Sequence, residues 1–413
     1  MEKPVTKIKV GVFCVERSRK TKINLYALIP VAMAIVVVIA FAISGSITKN
    51  SDKEKPTAQT SVSVANEDST VKKPAENSKV SIVAVGDNLI HNTLIAAGET
   101  EDSGLDYKPL YANIKPEIEK ADIAVINQET ILGGESFEYT GYPLFNSPWE
   151  IGDAAIDAGF DIFTCATNHT LDMGWDGIEK EIEYFSKNKN VVQIGVNSSA
   201  DKNITYYEKN SITFSLLNYT YGTNGIDPPA DKPWCVNLFE KETVTADIKE
   251  AREHSDVVIV FAHWGTENSH EVSQYQQEYT KLFSDLGVDI VIGTHPHVIQ
   301  NVEWVTNEQS GKKMLVYYSL GNFISHQIQL DQLCGGMAQI TVEKKGENIE
   351  ISTAKFVPLI CHYKRGENDK FVFNVYKLSD YTNDLAASHS QEGGTVEYYN
   401  QLVRDVIDEE FLD

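Results

Sequence analysis

The stretch VDIVIGTHPHV (288–298) reads as a buried strand that stops in two histidines. Val288, Ile290, Val291 and Ile292 form a short, nearly continuous apolar run, the mark of a strand covered on both faces, as in a parallel sheet. Pro296 fixes φ and cannot donate to a ladder, so the strand ends there and His295 and His297 can face one centre. Working outward, five more runs share this texture: VSIVAVG (80–86), IAVI (123–126), DIFTCA (161–166), VVQIGV (191–196) and DVVIVFAHW (256–264). Helix-like segments lie between runs at 149–159, 174–189, 243–254 and 272–287, which is the pattern of βαβ units. Two stretches read as hairpins instead, 204–219 about Lys209–Asn210 and 337–360 about KKGEN. The predicted class is therefore α/β, with an antiparallel part toward the C-terminus. Residues 396–412 read as an acidic amphipathic helix.

Five of the six apolar runs end in residues able to bind a metal. VAVGDNLIH ends in Asp87 and His91, and IAVINQET in Asn127 and Glu129. FTCATNHTLD ends in Asn168, His169 and Asp172. IVFAHWGTE ends in His263 and Glu267, and IVIGTHPHV in His295 and His297. In a parallel sheet the carboxyl ends of the strands share one edge, where sites form. Imidazole suits Zn, Fe or Mn, and carboxylate and amide oxygens suit Mn, Mg or Fe, so a divalent metal site is expected. An isolated histidine is more often a satisfied structural residue, and His254, His270, His326, His362 and His389 are read so. His270 and His326 stay as secondary candidates because they follow site-like segments. DMGWDG (172–177) reads as a helix start, with Asp172 as its cap and Gly174 and Gly177 allowing close backbone approach. No GxSxG, GxxxxGK[ST] or GxGxxG occurs, so neither a hydrolase elbow nor a nucleotide loop is indicated.

The chain has 413 residues, 59 acidic against 36 basic, and a net charge of −23. That balance argues against binding nucleic-acid phosphates, which takes Lys and Arg clusters. Residues 1–22 hold seven basic and two acidic side chains, a balance of +5, so the remainder carries −28. Residues 23–47 hold no charge and include VAMAIVVVIAFAI. At ~1.5 Å per residue they cover a hydrocarbon core of ~30 Å. The basic residues before them predict a cytoplasmic tail (1–22), a single transmembrane signal anchor (23–47) in the cell membrane, and an extracytoplasmic remainder. Cleavage at the small residues Ala40–Ala42 is the alternative. Residues 48–79 read as a polar linker, 80–378 as the globular domain, and 379–413 as a C-terminal acidic tail and helix. Cys165, Cys235, Cys334 and Cys361 are either disulfide-bonded in one of three pairings or separate buried thiols.

The ordered set GDNLIH, NQE, TNHTLDMGWDG, HWGTE, GTHPHV and YSLGNF, spread over roughly 81–325, resembles the capsule-synthesis protein CapA family. Members of that family support bacterial poly-γ-glutamate synthesis, and their domain is similar in turn to the calcineurin-like metallophosphoesterases. The resemblance implies a metallophosphoesterase-like two-sheet sandwich flanked by helices, with a metal centre at the strand ends. It implies Asp87 as the first metal-binding Asp, Asn168 and His169 as an Asn-His block, His263 as the isolated metal histidine, and His295 and His297 as the final pair. Two departures stand out. Leu89 occupies the place of the histidine in an Asp-x-His block, the nearest histidine being His91. NQE stands where a Gly-Asp block would, so Glu129 or Asn127 substitutes for the bridging Asp. The resemblance thus implies one or two divalent ions (Mn, Zn, Fe or Mg undistinguished), with His169 and Asp172 as catalytic residues of a metal-dependent hydrolase. Its implied partners are the cytoplasmic membrane, the poly-γ-glutamate polymer and capsule synthase subunits. The alternatives are an extracytoplasmic metal-dependent hydrolase of a phosphoester or γ-glutamyl bond unrelated to capsule, and a scaffold that kept the fold without the chemistry. A domain near −28 repels a polyanion, so contact with such a polymer needs a local positive centre, which a bound divalent metal supplies.

Overall fold

The computed structural model describes residues 77–412, apart from 202–203 and 367–368. The expected anchor and nearly all of the linker lie outside these residues. No helix among the described residues is long and apolar enough to cross a membrane. In chain order the strands are β1 (Ser78–Asn88), β2 (Ile123–Gln128), β3 (Ile162–Thr164), β4 (Val192–Ile194), β5 (Thr205–Lys209), β6 (Ile212–Thr220), β7 (Val257–His263), β8 (Ile290–Thr294), β9 (Ile299–Thr306), β10 (Lys313–Leu320), β11 (Asn322–Ile324), β12 (Cys334–Lys345), β13 (Asn348–Arg365) and β14 (Phe371–Lys377). They form two sheets. One runs β14-β13-β12-β1-β2-β3-β4, with β11 beside the end of β1, and the other runs β5-β6-β7-β8-β10-β9. In the first sheet β1 to β4 are parallel, while β12, β13 and β14 are antiparallel. In the second, β6, β7, β8 and β10 are parallel between the antiparallel edges β5 and β9.

The apolar runs are continuous because both faces of these strands are covered. In β7, Val257, Ile259 and Phe261 join a core shared with Ile82, Val125 and Ile340 of the first sheet. The alternate residues Val258, Val260 and Ala262 pack with Val244, Ile248 and Phe283, which come from the helices Lys241–His254 and Gln274–Leu286. This is the strand period of two with apolar residues on both sides. Burying each large aliphatic side chain contributes about 1.5–3 kcal/mol, so a charge in such a run is costly. The C-terminal helix Val396–Val406 closes over the first core through Tyr399 and Val403, followed by Ile407 and Phe411.

Close packing also sets the ends of the site-bearing strands. A Cβ on Gly86 would lie 1.8 Å from the Gly321 carbonyl oxygen, and one on Gly293 would lie 1.9 Å from that of Tyr318. Glycine at these places lets β1 and β8 approach their neighbours just before Asp87 and His295. Strand β8 stops at Thr294, and both following histidines take left-handed backbone, φ 99° at His295 and 60° at His297.

Several expectations need correction. The first hairpin turns at Asn210–Ser211, one residue later than expected, with φ 49° and 61°. Asn tolerates left-handed backbone through local hydrogen bonding, so the turn settles there. Strand β1 starts at Ser78, inside the stretch read as linker, because it pairs with β12. The final helix ends at Val406 and is followed by a short 3₁₀ turn. Strands β9, β10, β11 and β14 were not anticipated. Cys165, Cys235, Cys334 and Cys361 are free and buried.

Candidate metal centre

The carboxyl ends of the parallel strands in both sheets meet at one place. Asp87 lies in the last two residues of β1, Asn127 in the last two of β2 with Glu129 just past its end, and Asn168 and His169 follow β3. His263 closes β7, and His295 and His297 follow β8. All eight side chains are buried. Their ligand atoms form two groups able to hold a metal ion. Asp87, Glu129 and His297 make one, and Glu129, His263 and His295 make the other, each group's atoms lying within 4.8 Å of one another. Glu129 belongs to both.

Hydrogen bonds fix most of these groups. Asp87 accepts from Asn127 Nδ2 at 2.9 Å, from the His295 N–H at 3.3 Å, and pairs with His297 Nδ1 at 3.1 Å. Asn127 is steadied in turn by the Thr164 hydroxyl, which donates to its Oδ1 at 2.8 Å. His263 Nε2 lies 2.8 Å from Asn168 Oδ1, and its Nδ1 is 3.0 Å from the Thr294 hydroxyl. His169 Nδ1 lies 2.7 Å from Asp172 Oδ2, and the Phe145 N–H donates to that same oxygen at 2.7 Å. Asp172 therefore does not cap the helix Gly174–Lys187, whose cap residue is Met173; the carboxylate is already engaged. Of the two glycines expected to allow close approach, Gly177 does so against Met173, while Gly174 faces open space.

Glu129 is the exception. Both its oxygens are buried and lack any hydrogen-bond partner, and His295 Nδ1 is likewise unpartnered. The nearest cationic candidates stand off, His297 Nε2 at 3.8 Å and His263 Nε2 at 4.0 Å. A buried carboxylate without partners costs several kcal/mol, on the order of the effective penalty for a desolvated ion. Burial, and then the Asp87 carboxylate, push the Glu129 pKa well above its usual range. Burial works against a charged His297, but Glu129 and the hydrogen bond to Asp87 outweigh it and raise the pKa to about 9. Both shifts express an excess of negative charge that a cation between the carboxylates would relieve. His263 and His295 are held well below the usual histidine range, by burial first and then by neighbouring histidines, so they present neutral lone pairs. Two carboxylates, neutral imidazoles and an unpartnered shared oxygen pair fit a divalent cation.

The residues read from the strand ends are thus brought together, except Glu267, which is exposed and belongs to neither ligand group. His91 lies at the margin, its Nδ1 accepting from the His326 N–H at 3.2 Å. His270 is bonded to the Ile299 carbonyl and to Asp331. The loop after β6 was missed. Its Tyr221 ring sits 4.5 Å from the His295 ring, and Asn224 Oδ1 accepts from Asn168 Nδ2 at 3.3 Å. The only local signal was Asn224–Gly225, both with positive φ, which as a dipeptide marks a turn and not a site.

Comparison with known proteins agrees with the motifs. The PGA biosynthesis protein CapA of Bacillus subtilis (strain 168) is 30% identical over 193 residues, covering 46% of this chain and 49% of that protein. The capsule biosynthesis protein CapA of Bacillus anthracis is 27% identical over 265 residues, 62% of each chain. The chain thus spans about half to three fifths of the length of these relatives. Among solved structures, the calcineurin-like phosphoesterase YfkN from Bacillus subtilis is similar at 16% identity and a TM-score of 0.38, over 80% of this chain and 98% of that one. The family model described as bacterial capsule synthesis protein PGA_cap matches residues 81–327. Because that match takes in more than half of the chain, the protein belongs to the bacterial capsule synthesis protein PGA_cap family.

Proposed function

We propose that this is a membrane-anchored protein supporting synthesis or export of a poly-γ-glutamate capsule, whose extracytoplasmic domain is a metal-dependent hydrolase of the metallophosphoesterase type. Family membership and the uncharged run 23–47 support the capsule role and the anchor. The observation that carries the hydrolase reading is Glu129, buried, shared by both ligand groups and without a partner on either oxygen.

Asp87, Glu129, His263, His295 and His297 would hold the ion or ions, with Asn127 and Asn168 beside them. When bound, a divalent cation supplies Lewis-acid polarisation of a phosphoryl or carbonyl oxygen. Asp172 accepts the Nδ1–H of His169 and orients its ring, so that Nε2, once protonated, is the atom that hands a proton to the leaving oxygen. The Phe145 N–H holds Asp172 in place for that task.

Elemental analysis of the purified full-length protein tests the reading together with turnover of model phosphoesters. Bound divalent metal with metal-dependent turnover is expected. A fully loaded protein without turnover would leave a scaffold of the same fold. Deletion of the gene is expected to reduce poly-γ-glutamate in amount, length or surface attachment; unchanged polymer would remove the capsule role.

A further inference from the structure

The loops that surround the site at 88–98, 129–147, 165–176, 221–236, 264–273, 295–298 and 321–333 contain ten carboxylates, one lysine and no arginine. The lysine, Lys232, is already paired with Asp231 at 2.8 Å and lies 5.5 Å over the Trp175 ring. The polar residues beside the site are uncharged instead: Tyr221, whose ring packs on that of His295, the Asn224 amide beside His169, and His91. The charge count of the ligand set agrees. Asp87 and Glu129 cancel one divalent cation, and against two cations they leave a surplus of two charges, which Glu267 acting on Glu129 reduces. Counting the Glu267 carboxylate, the surplus is at most one charge, too little to balance a dianion, and the ten loop carboxylates oppose a polymer with a carboxylate on every residue.

The same loops expose apolar surface. Seven large hydrophobic side chains are exposed among the described residues, and four of them lie here: Tyr142 at 77%, Ile328 at 63%, Leu144 at 46% and Tyr221 at 41%. They are tied to the site through their neighbours. Phe145, next to Leu144, places its ring 4.6 Å from His169 and 5.5 Å from His91. Thr140 and Asn146 bridge the base of the loop that carries Tyr142. His326, two residues before Ile328, donates its N–H to His91 Nδ1.

We propose that the site takes a singly charged phosphodiester bearing an uncharged, apolar substituent, which packs against Tyr142, Leu144 and Ile328, and not a phosphomonoester or the polyglutamate strand itself. This rests on the hydrolase reading above. Water adds its oxygen to phosphorus as the ester P–O bond breaks. One of its protons reaches the leaving oxygen through His169, and the other stays with the phosphomonoester product.

Three esters with one leaving group test it: 4-nitrophenyl phosphate, methyl 4-nitrophenyl phosphate and phenyl 4-nitrophenyl phosphate. The expected kcat/KM order for the metal-loaded protein is phenyl diester, methyl diester, monoester, with about 10-fold or more between phenyl and methyl, the range of an apolar pocket contact. Tyr142→Ala with Leu144→Ala is expected to bring the phenyl-to-methyl ratio close to one through KM. Calorimetric binding of phenyl methylphosphonate, a singly charged analogue, should weaken about 10-fold in the same variant while metal content stays at the wild-type level. A preference for the monoester, or equal losses on all three esters, overturns the substrate assignment and leaves the hydrolase reading standing. Absence of bound metal overturns both.

Discussion

Two histidine clusters in this molecule keep opposite company. At the strand ends His263, His295 and His297 surround Glu129, whose oxygens have no partner. At the edge of the first sheet His326, His362 and His389 sit among aromatic rings, with Tyr363, Phe371 and Phe373 packed on His326 and Tyr376 and Tyr381 packed on His362. Their hydrogen bonds run to the Tyr381 hydroxyl, the Cys361 carbonyl and the Gln391 N–H. Burial depresses histidine pKa values in both places. What differs is the carboxylate. Imidazoles around a buried, unpartnered carboxylate attract a cation, whereas neutral imidazoles among rings fill space.

The sharpest way to break this contrast is Glu129→Gln. Metal binding, followed by calorimetry, should fall by more than ~100-fold, since loss of a direct ligand exceeds the ~10–100-fold cost of losing an outer support. The melting temperature of the metal-free protein should not fall, because the substitution removes an unpartnered charge. Metal retained at the wild-type level would show that Glu129 is not shared.

The aromatic cluster is sharpened by pH. The His362 pKa is depressed to about 4, by burial first and then by His389 and Lys364. Its folded value lies below its unfolded one, so its contribution is present above pH 6.5 and is lost as pH falls toward 4. His362→Gln keeps a partner for Tyr381 but cannot titrate. In urea unfolding of metal-free protein, wild type should lose roughly 2 kcal/mol more than the variant between pH 7 and pH 4. Metal content should be the same in both. Identical pH profiles would mean that His362 is not buried neutral.

The smallest expected effect concerns backbone. His295 has φ 99°, a conformation that costs a side-chain-bearing residue about 1–3 kcal/mol and that glycine adopts freely. His295→Gly should raise metal-free stability by about 1 kcal/mol, offset in part by a more flexible unfolded chain, while weakening metal binding. A fall in metal-free stability would show that the imidazole packing against Tyr221 outweighs the strain.

Much of the strand-end constellation was legible because it is local. An apolar run followed within a few residues by Asp, Asn or His needs no knowledge of the rest of the chain, and Asp87, His263, His295 and His297 were found that way. The hairpin read at 337–360 was legible for the same reason, since KKGEN interrupts two runs, although its strands extend to Cys334 and Arg365. Strand β14 was not, because Asn374 breaks the apolar run of FVFNVYK and its pairing with β13 is a tertiary contact. Tyr221, Asn224 and Phe145 were missed because loop residues show no periodicity.

The sequence alone determined that several strands are covered on both faces and that their ends carry imidazole, amide and carboxylate, because period and composition are properties of short segments. Only the tertiary structure decided that Glu129, and not Asn127, stands between both ligand groups, and that Asp172 serves His169 and not a helix end. Those facts depend on strand order and register: Asp87 and His297 meet across 210 residues of chain, and no local pattern encodes such a distance.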